Sequence, residues 1–222
     1  FQALRTAGPD MIFTFLVIAQ AYLLISIKNP SYVSDRWKVI GFGICISLAL
    51  FVRSLVALVP LISLLPFLWS RRFLGIKSFW FFTGLGLLFG SIPLLINLYA
   101  VFSQFGNSGL LALTSFASKK VGLSDLALLP SLPFYFSRLI LFTFPVFLII
   151  LTGIRRAKKY LSISRMSSLL TEINSLTVLF PMIYLLILSF MGTRHYHYLI
   201  PLTPFFSLNV ARLGLVLNRR CF

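Results

Sequence analysis

Seven apolar runs separated by short basic clusters constrain this chain more than any other feature. They are Met11–Ile27, Val39–Val52, Leu55–Trp69, Phe79–Val101, Pro133–Leu151, Ile173–Met191 and Tyr198–Leu217. A helix needs roughly 20 apolar residues to cross a hydrocarbon core, and each run approaches that length. Only 11% of the 222 residues are charged and 59% are hydrophobic, which leaves too little polar surface to wrap a water-soluble core. The expectation is an all-α, polytopic transmembrane bundle of about seven spans, forming a single domain over residues 1–222.

The second and third runs are nearly continuous, interrupted only by Arg53-Ser54. As one straight helix, residues 39–69 would measure about 46 Å, against a hydrocarbon thickness of roughly 30 Å. A hairpin turning at Arg53-Ser54 fits better. The basic residues test this count. With the N-terminus outside, the inner connections hold 14 of the 20 Lys and Arg, including Lys28, Arg36, Lys38, Arg71, Arg72, Lys77 and the cluster from Arg155 to Arg165. The outer side holds Arg5, Arg53, Lys119, Lys120, Arg138 and Arg194. That asymmetry obeys the positive-inside rule and puts the C-terminus in the cytoplasm. Merging the two runs would scatter the clusters across both sides. The longest outer connection is expected at about residues 102–132, with a short interfacial helix at Leu110–Phe116.

A net charge of +16 raises the question of nucleic acid. The cations lie between apolar runs, not in a stripe on a polar face, so no nucleic-acid partner is expected. Cys45 and Cys221 form neither a disulfide framework nor a metal-ligand spacing. Ala19-Gln20-Ala21 resembles a signal-peptidase site, but Pro9 and Asp10 stand where a basic leader segment belongs.

Few residues depart from a passive membrane span. Of the four acidic residues, Asp35 and Glu172 lie among basic residues or at helix starts, where a carboxylate favours the dipole. Asp10 precedes the first span on the outer side, after Pro9; it reads equally as a helix-start residue and as a functional carboxylate. Arg53, between Val52 and Leu55, either snorkels to the interface or grips a phosphate through its guanidinium fork. The segment Thr193-Arg194-His195-Tyr196-His197-Tyr198-Leu199-Ile200-Pro201 is the densest polar cluster of the outer face. It reads as an aromatic belt or as an anion clamp of Arg, His and Tyr donors. The two histidines alone make no metal site.

Three of these features together resemble a known family. Arg5-Thr6-Ala7-Gly8-Pro9-Asp10 before an apolar helix is similar to the second acidic motif of polyprenyl-phosphate-sugar glycosyltransferases of the GT-C superfamily, which include the protein mannosyltransferases and the aminoarabinose lipid A transferases. Gly41-Phe42-Gly43 through Leu50-Phe51-Val52-Arg53-Ser54 resembles their glycine-containing helix ending in a basic residue, with Arg53-Ser54-Leu55 in place of the usual Lys-Gly-Pro. Arg194-His195-Tyr196-His197-Tyr198-Leu199-Ile200-Pro201-Leu202 resembles their late outer-loop motif. The resemblance implies inverting transfer of a sugar from a polyprenyl-phosphate donor to a lipid, glycan or protein acceptor. It places that chemistry on the periplasmic or lumenal face, in a bacterial inner membrane among membrane lipids. It implies that Asp10 belongs to the catalytic acidic set. Arg53 and Arg194 would meet the lipid phosphate, and Tyr196 and Tyr198 would line the donor pocket, with Arg5 and His195 beside them. No cofactor is assigned; a divalent metal is compatible. The family's first acidic motif has no counterpart here, so the chain is expected to be the C-terminal portion of a longer protein and inactive by itself.

The alternative is a non-catalytic transporter of a lipid or small solute. Transporters carry midplane charges and repeated topology; here Arg138 is the main charge inside an apolar run and no repeat is visible.

Overall fold

The computed structural model describes residues 2–121, 131–142, 175–190, 196–208 and 211, with side chains over most of these stretches. The described residues are helical throughout apart from short turns, with no strand among them. Among the described residues up to 142, six helices follow in order: α1 (Gln2–Ser26), α2 (Val33–Arg53), α3 (Leu58–Ser63), α4 (Leu65–Ser70), α5 (Lys77–Val121) and α6 (Ser131–Phe142). A seventh, α7 (Phe180–Phe190), follows a π-helical turn at Ser175–Leu179, and a 3-10 turn spans Tyr196–Leu202.

Among the described residues, three apolar helical stretches are long enough to cross a membrane: Gly8–Ser26, Val33–Ser70 and Lys77–Ser115. Their outer faces confirm what solvent they need. α1 buries Phe13, Leu16, Val17, Ala21 and Leu24 while exposing Met11, Phe15, Ile18, Tyr22 and Ile25. The polar Gln20 is on its buried side. Large apolar side chains directed outward in a continuous stripe require lipid around them. The chain is an all-α membrane protein.

The stretch Val33–Ser70 is not one straight rod. Arg71 donates from its guanidinium to the Ile27 carbonyl at 3.4 Å, so the chain returns to the end from which α2 started. The reversal lies at Ser54, which takes a positive φ of 52° and donates its N–H to the Leu50 carbonyl. The returning leg is broken by its own sequence. Pro60 and Pro66 have no N–H for the carbonyls four residues back, and the leg accordingly runs as a 3-10 turn at Ser54–Ala57 followed by α3 and α4, which meet at Leu64. The hairpin expected at Arg53-Ser54 is therefore present.

With the return leg between them, α2 and α5 run parallel. Ser31 and Ser78 hydroxyls lie 3.3 Å apart at one end, Arg36 sits over the Phe82 ring, and Ser47 donates to the Leu87 carbonyl at 2.8 Å further along. Glycines set this approach. A Cβ on Gly86 would stand 2.1 Å from the Ile40 carbonyl oxygen, and one on Gly43 would stand 2.3 Å from that of Thr83. Small residues let membrane helices touch backbone to backbone, where dispersion is the main attraction. α1 packs antiparallel to α2: Leu23 covers Gly41, and the Lys38 ammonium reaches the Ser26 carbonyl at 2.8 Å. α7 packs on α3 and α6, and the 3-10 turn packs on α1.

Two expectations need revision. Helix α1 begins at Gln2 and holds Pro9 in its interior, so Asp10 is not a helix-start residue. The connection expected from residue 102 is helical as far as Val121; Gly106, at φ 60° and ψ −151°, separates two helical arms, a backbone state that glycine reaches without a Cβ clash. The π-helical turn precedes Pro181, whose missing N–H would interrupt a regular ladder. The count of seven spans rests in part on residues outside those described, including 143–174.

The glycine contacts make a direct prediction. Gly86→Leu forces α2 and α5 apart and is expected to destabilise the folded bundle by about 2 kcal/mol or more. Gly84→Ala, where a Cβ meets nothing within 4 Å, is expected to be neutral or slightly stabilising. Thermal unfolding of the two variants in detergent, compared with the parent, reads the difference.

Candidate functional site

At the end of the bundle where α2 stops, five elements deliver polar side chains into one buried cluster. Arg53 is the last residue of α2 and is held down by the reversal at Ser54. Its guanidinium forms an ion pair with the carboxylate of Asp10 on α1. Both are buried, at 9% and 5% exposure, so the charges have been withdrawn from bulk water and must satisfy each other. The Arg53 guanidinium also lies over the Tyr198 ring, 5.7 Å from its centroid. Tyr198 comes from the 3-10 turn and is itself buried.

Two further tyrosines complete the cluster. Tyr184 on α7 and Tyr135 on α6 are fully buried, and Tyr184 lies within electrostatic reach of Arg53, Tyr135 and Tyr198. Phe180 braces this side, packing on Tyr184 at 5.8 Å and on Phe205 at 4.3 Å between ring centroids. Two polar atoms in the cluster, the Arg53 Nε and the Tyr184 hydroxyl, have no hydrogen-bond partner among the described residues. Buried donors are normally paired, and leaving one unpaired is costly. A guanidinium fork, an unpaired N–H and a phenol in a water-poor setting together suit an anion with several oxygens.

The sequence candidates fall into three groups. Asp10, Arg53 and Tyr198 are brought together. The backbones of Arg5 and Tyr196 lie in α1 and the 3-10 turn, and their side chains are outside the described residues. Arg194 and His195 also lie outside them. Asp10 functions as a partner for Arg53 in place of capping a helix, because eight residues of α1 precede it. Arg53 does not snorkel to open water; its charge is met by Asp10. Tyr135 and Tyr184 were missed by sequence reasoning. The available signal was weak: each is the single tyrosine of its apolar run, a position where an aromatic residue is ordinarily simple packing.

Asp35, at the opposite end of α2, has a structural role. One carboxylate oxygen accepts the backbone N–H groups of Lys28 and Asn29, each at 2.9 Å. The other takes the Lys38 ammonium at 2.6 Å. It thereby ties the α1–α2 turn to the first turn of α2. Arg138 is exposed and sits over Phe134 one helical turn away, so it is not part of the cluster. Among the described residues, no group of three His, Cys, Asp or Glu side chains gathers to hold a metal.

No protein-family model, curated protein or solved structure matches this chain.

The ion pair predicts strong coupling between its partners. Asp10→Leu leaves a buried guanidinium unpaired and is expected to destabilise the fold by about 3 kcal/mol. Removing both charges, with Asp10→Leu and Arg53→Met together, is expected to recover most of that loss. A double-mutant cycle on thermal stability measures the coupling; additive effects of the two substitutions would contradict a direct pair.

Proposed function

We propose that this protein is a membrane glycosyltransferase of the GT-C type, moving a sugar from a polyprenyl-phosphate donor to a lipid, glycan or protein acceptor. The observation that carries the reading is the buried Asp10–Arg53 pair with Tyr198 against the guanidinium, formed where three motif-bearing segments meet. In this reading Arg53 stabilises the departing lipid phosphate, since a preorganised cation in a dry site offsets charge that develops in the transition state. Tyr184 adds a neutral donor beside it. Asp10 aligns the Arg53 fork. Held in that ion pair, Asp10 acts in this proposal by positioning the guanidinium. Arg194, Tyr196, Arg5 and His195 belong to the same donor site in this proposal.

Sidedness supports the same reading. The cluster lies at the end of α2 opposite Lys38 and Arg71. If the basic end faces the cytosol, the cluster opens on the periplasmic or lumenal side. The finer assignment, seven spans in a bacterial inner membrane, is part of this proposal. A polyprenyl donor enters laterally from lipid, which is consistent with a site walled by helices that carry apolar outer faces.

The test is transfer of label from a radiolabelled polyprenyl-phosphate sugar in membranes that contain the full-length protein. Asp10→Asn and Arg53→Gln are each expected to reduce transfer by about 100-fold or more. Tyr184→Phe, which removes a single hydroxyl, is expected to reduce it by about tenfold. Cys221→Ala is expected to leave transfer unchanged. Undiminished transfer in Asp10→Asn and Arg53→Gln would refute the assignment.

A further inference from the structure

The hairpin at Ser54 gathers a second polar feature at the other end of the bundle, from residues outside the motifs used above. Residues 28–38, 69–72 and 77–80 meet there through the Ser31–Ser78 contact, the Arg71 bond to Ile27 and the Lys38 bond to Ser26. Six cations collect at this end, Lys28, Arg36, Lys38, Arg71, Arg72 and Lys77, with Asp35 as the nearby carboxylate. Asp35 is already occupied by Lys38 and two backbone N–H groups. Lys28, Arg72 and Lys77 are exposed, and none forms an ion pair among the described residues. Arg36 donates to the Ser31 carbonyl and sits over Phe82, so its charge is placed but not neutralised.

All three tryptophans of the chain are at the same end. Trp37, Trp69 and Trp80 are exposed at 73%, 74% and 50%. Tryptophan settles where acyl chain gives way to headgroup, so the rings mark the depth of the basic residues as the headgroup layer. Excess positive charge at that depth is complementary to a negatively charged lipid surface.

We propose that this end of the bundle binds the headgroup of an anionic phospholipid, with Lys28, Arg72, Lys77 and Arg36 around the phosphodiester and the tryptophans against the upper acyl chains. The site selects for net negative headgroup charge, since a zwitterionic lipid presents the same phosphate with its charge cancelled. It is independent of any sugar-transfer activity.

Because every tryptophan lies at this site, intrinsic fluorescence reports on it alone. The full chain, in mixed micelles or nanodiscs, is titrated with brominated phosphatidylglycerol or with brominated phosphatidylcholine, and tryptophan quenching is followed. Quenching by the glycerol lipid is expected at a roughly fivefold lower mole fraction, the scale of one basic residue at a charged lipid surface. About 0.5 M salt is expected to bring the two curves together. The triple substitution Lys28→Gln, Arg72→Gln and Lys77→Gln is expected to abolish the preference, whereas Arg138→Gln is expected to retain it. If the triple variant does not fold, Arg72→Gln and Lys77→Gln separately are expected to halve the preference. Equal quenching of the parent by both lipids overturns the proposal, as does a preference that persists in the substituted proteins.

Discussion

The pairing of Asp10 with Arg53 is the interaction on which the organisation of the site depends. In a protein solvated by lipid, an unpaired guanidinium beneath the interface is strongly disfavoured. The chain has only four carboxylates with which to meet twenty cations. Committing one of them to Arg53 draws α1 onto the end of α2 and fixes how far the two helices are staggered. The aromatic turn carrying Tyr198 then closes over the same guanidinium. A second carboxylate, Asp35, performs the corresponding task at the other end of α2 by a different route, through backbone amides and Lys38. α2 is thus pinned at both ends by charge and along its length by glycine contacts with α5.

Those glycine contacts and the reversal at Ser54 are coupled. Two parallel membrane helices need a crossing between them, and the residues from Ser54 to Ser70 supply it. The crossing is short and broken by Pro60 and Pro66, which suits a leg that must turn sharply at one end and deliver Arg71 to Ile27 at the other. The returning leg also provides the surface on which α7 packs, and α7 brings Tyr184 to the Arg53 cluster. The sharp turn and the buried cluster therefore share a cause: once the chain reverses at Ser54, Arg53 is held at a corner with helices on several sides.

The two polar ends of the bundle differ in kind. At the Arg53 end, charge is buried, paired and surrounded by phenols, so it presents a small number of directed donors. At the Trp-rich end, Lys28, Arg72 and Lys77 are exposed and form no ion pair among the described residues, so they present a broad positive field. The first arrangement suits recognition of one group in a fixed pose; the second suits attraction of a surface or headgroup. That division matches what lipid solvation requires of a helical membrane protein, in which polar groups either satisfy one another inside or reach the headgroup layer.

Much of the architecture was legible from residue pattern alone. Apolar runs of membrane length, the alternation of Lys and Arg between them, and the excessive length of residues 39–69 were enough to infer an all-α membrane protein with a hairpin at Arg53-Ser54. Run length and charge asymmetry are local properties, set by hydrocarbon thickness and by the difficulty of moving cations across it. The start of α1 was not legible, because Pro9 imitates the first turn of a helix and here lies within one. The continuation of α5 through residue 121 was not legible, because the apolar run ends at Val101 while the helix goes on through polar residues and a joint at Gly106. Asp10, Arg53 and Tyr198 were visible as unusual residues. Their meeting, and the inclusion of Tyr135 and Tyr184, could be decided only by tertiary structure. Which buried side chains touch depends on helix rotation and stagger, and these follow from glycine contacts and ion pairs between segments far apart in the chain.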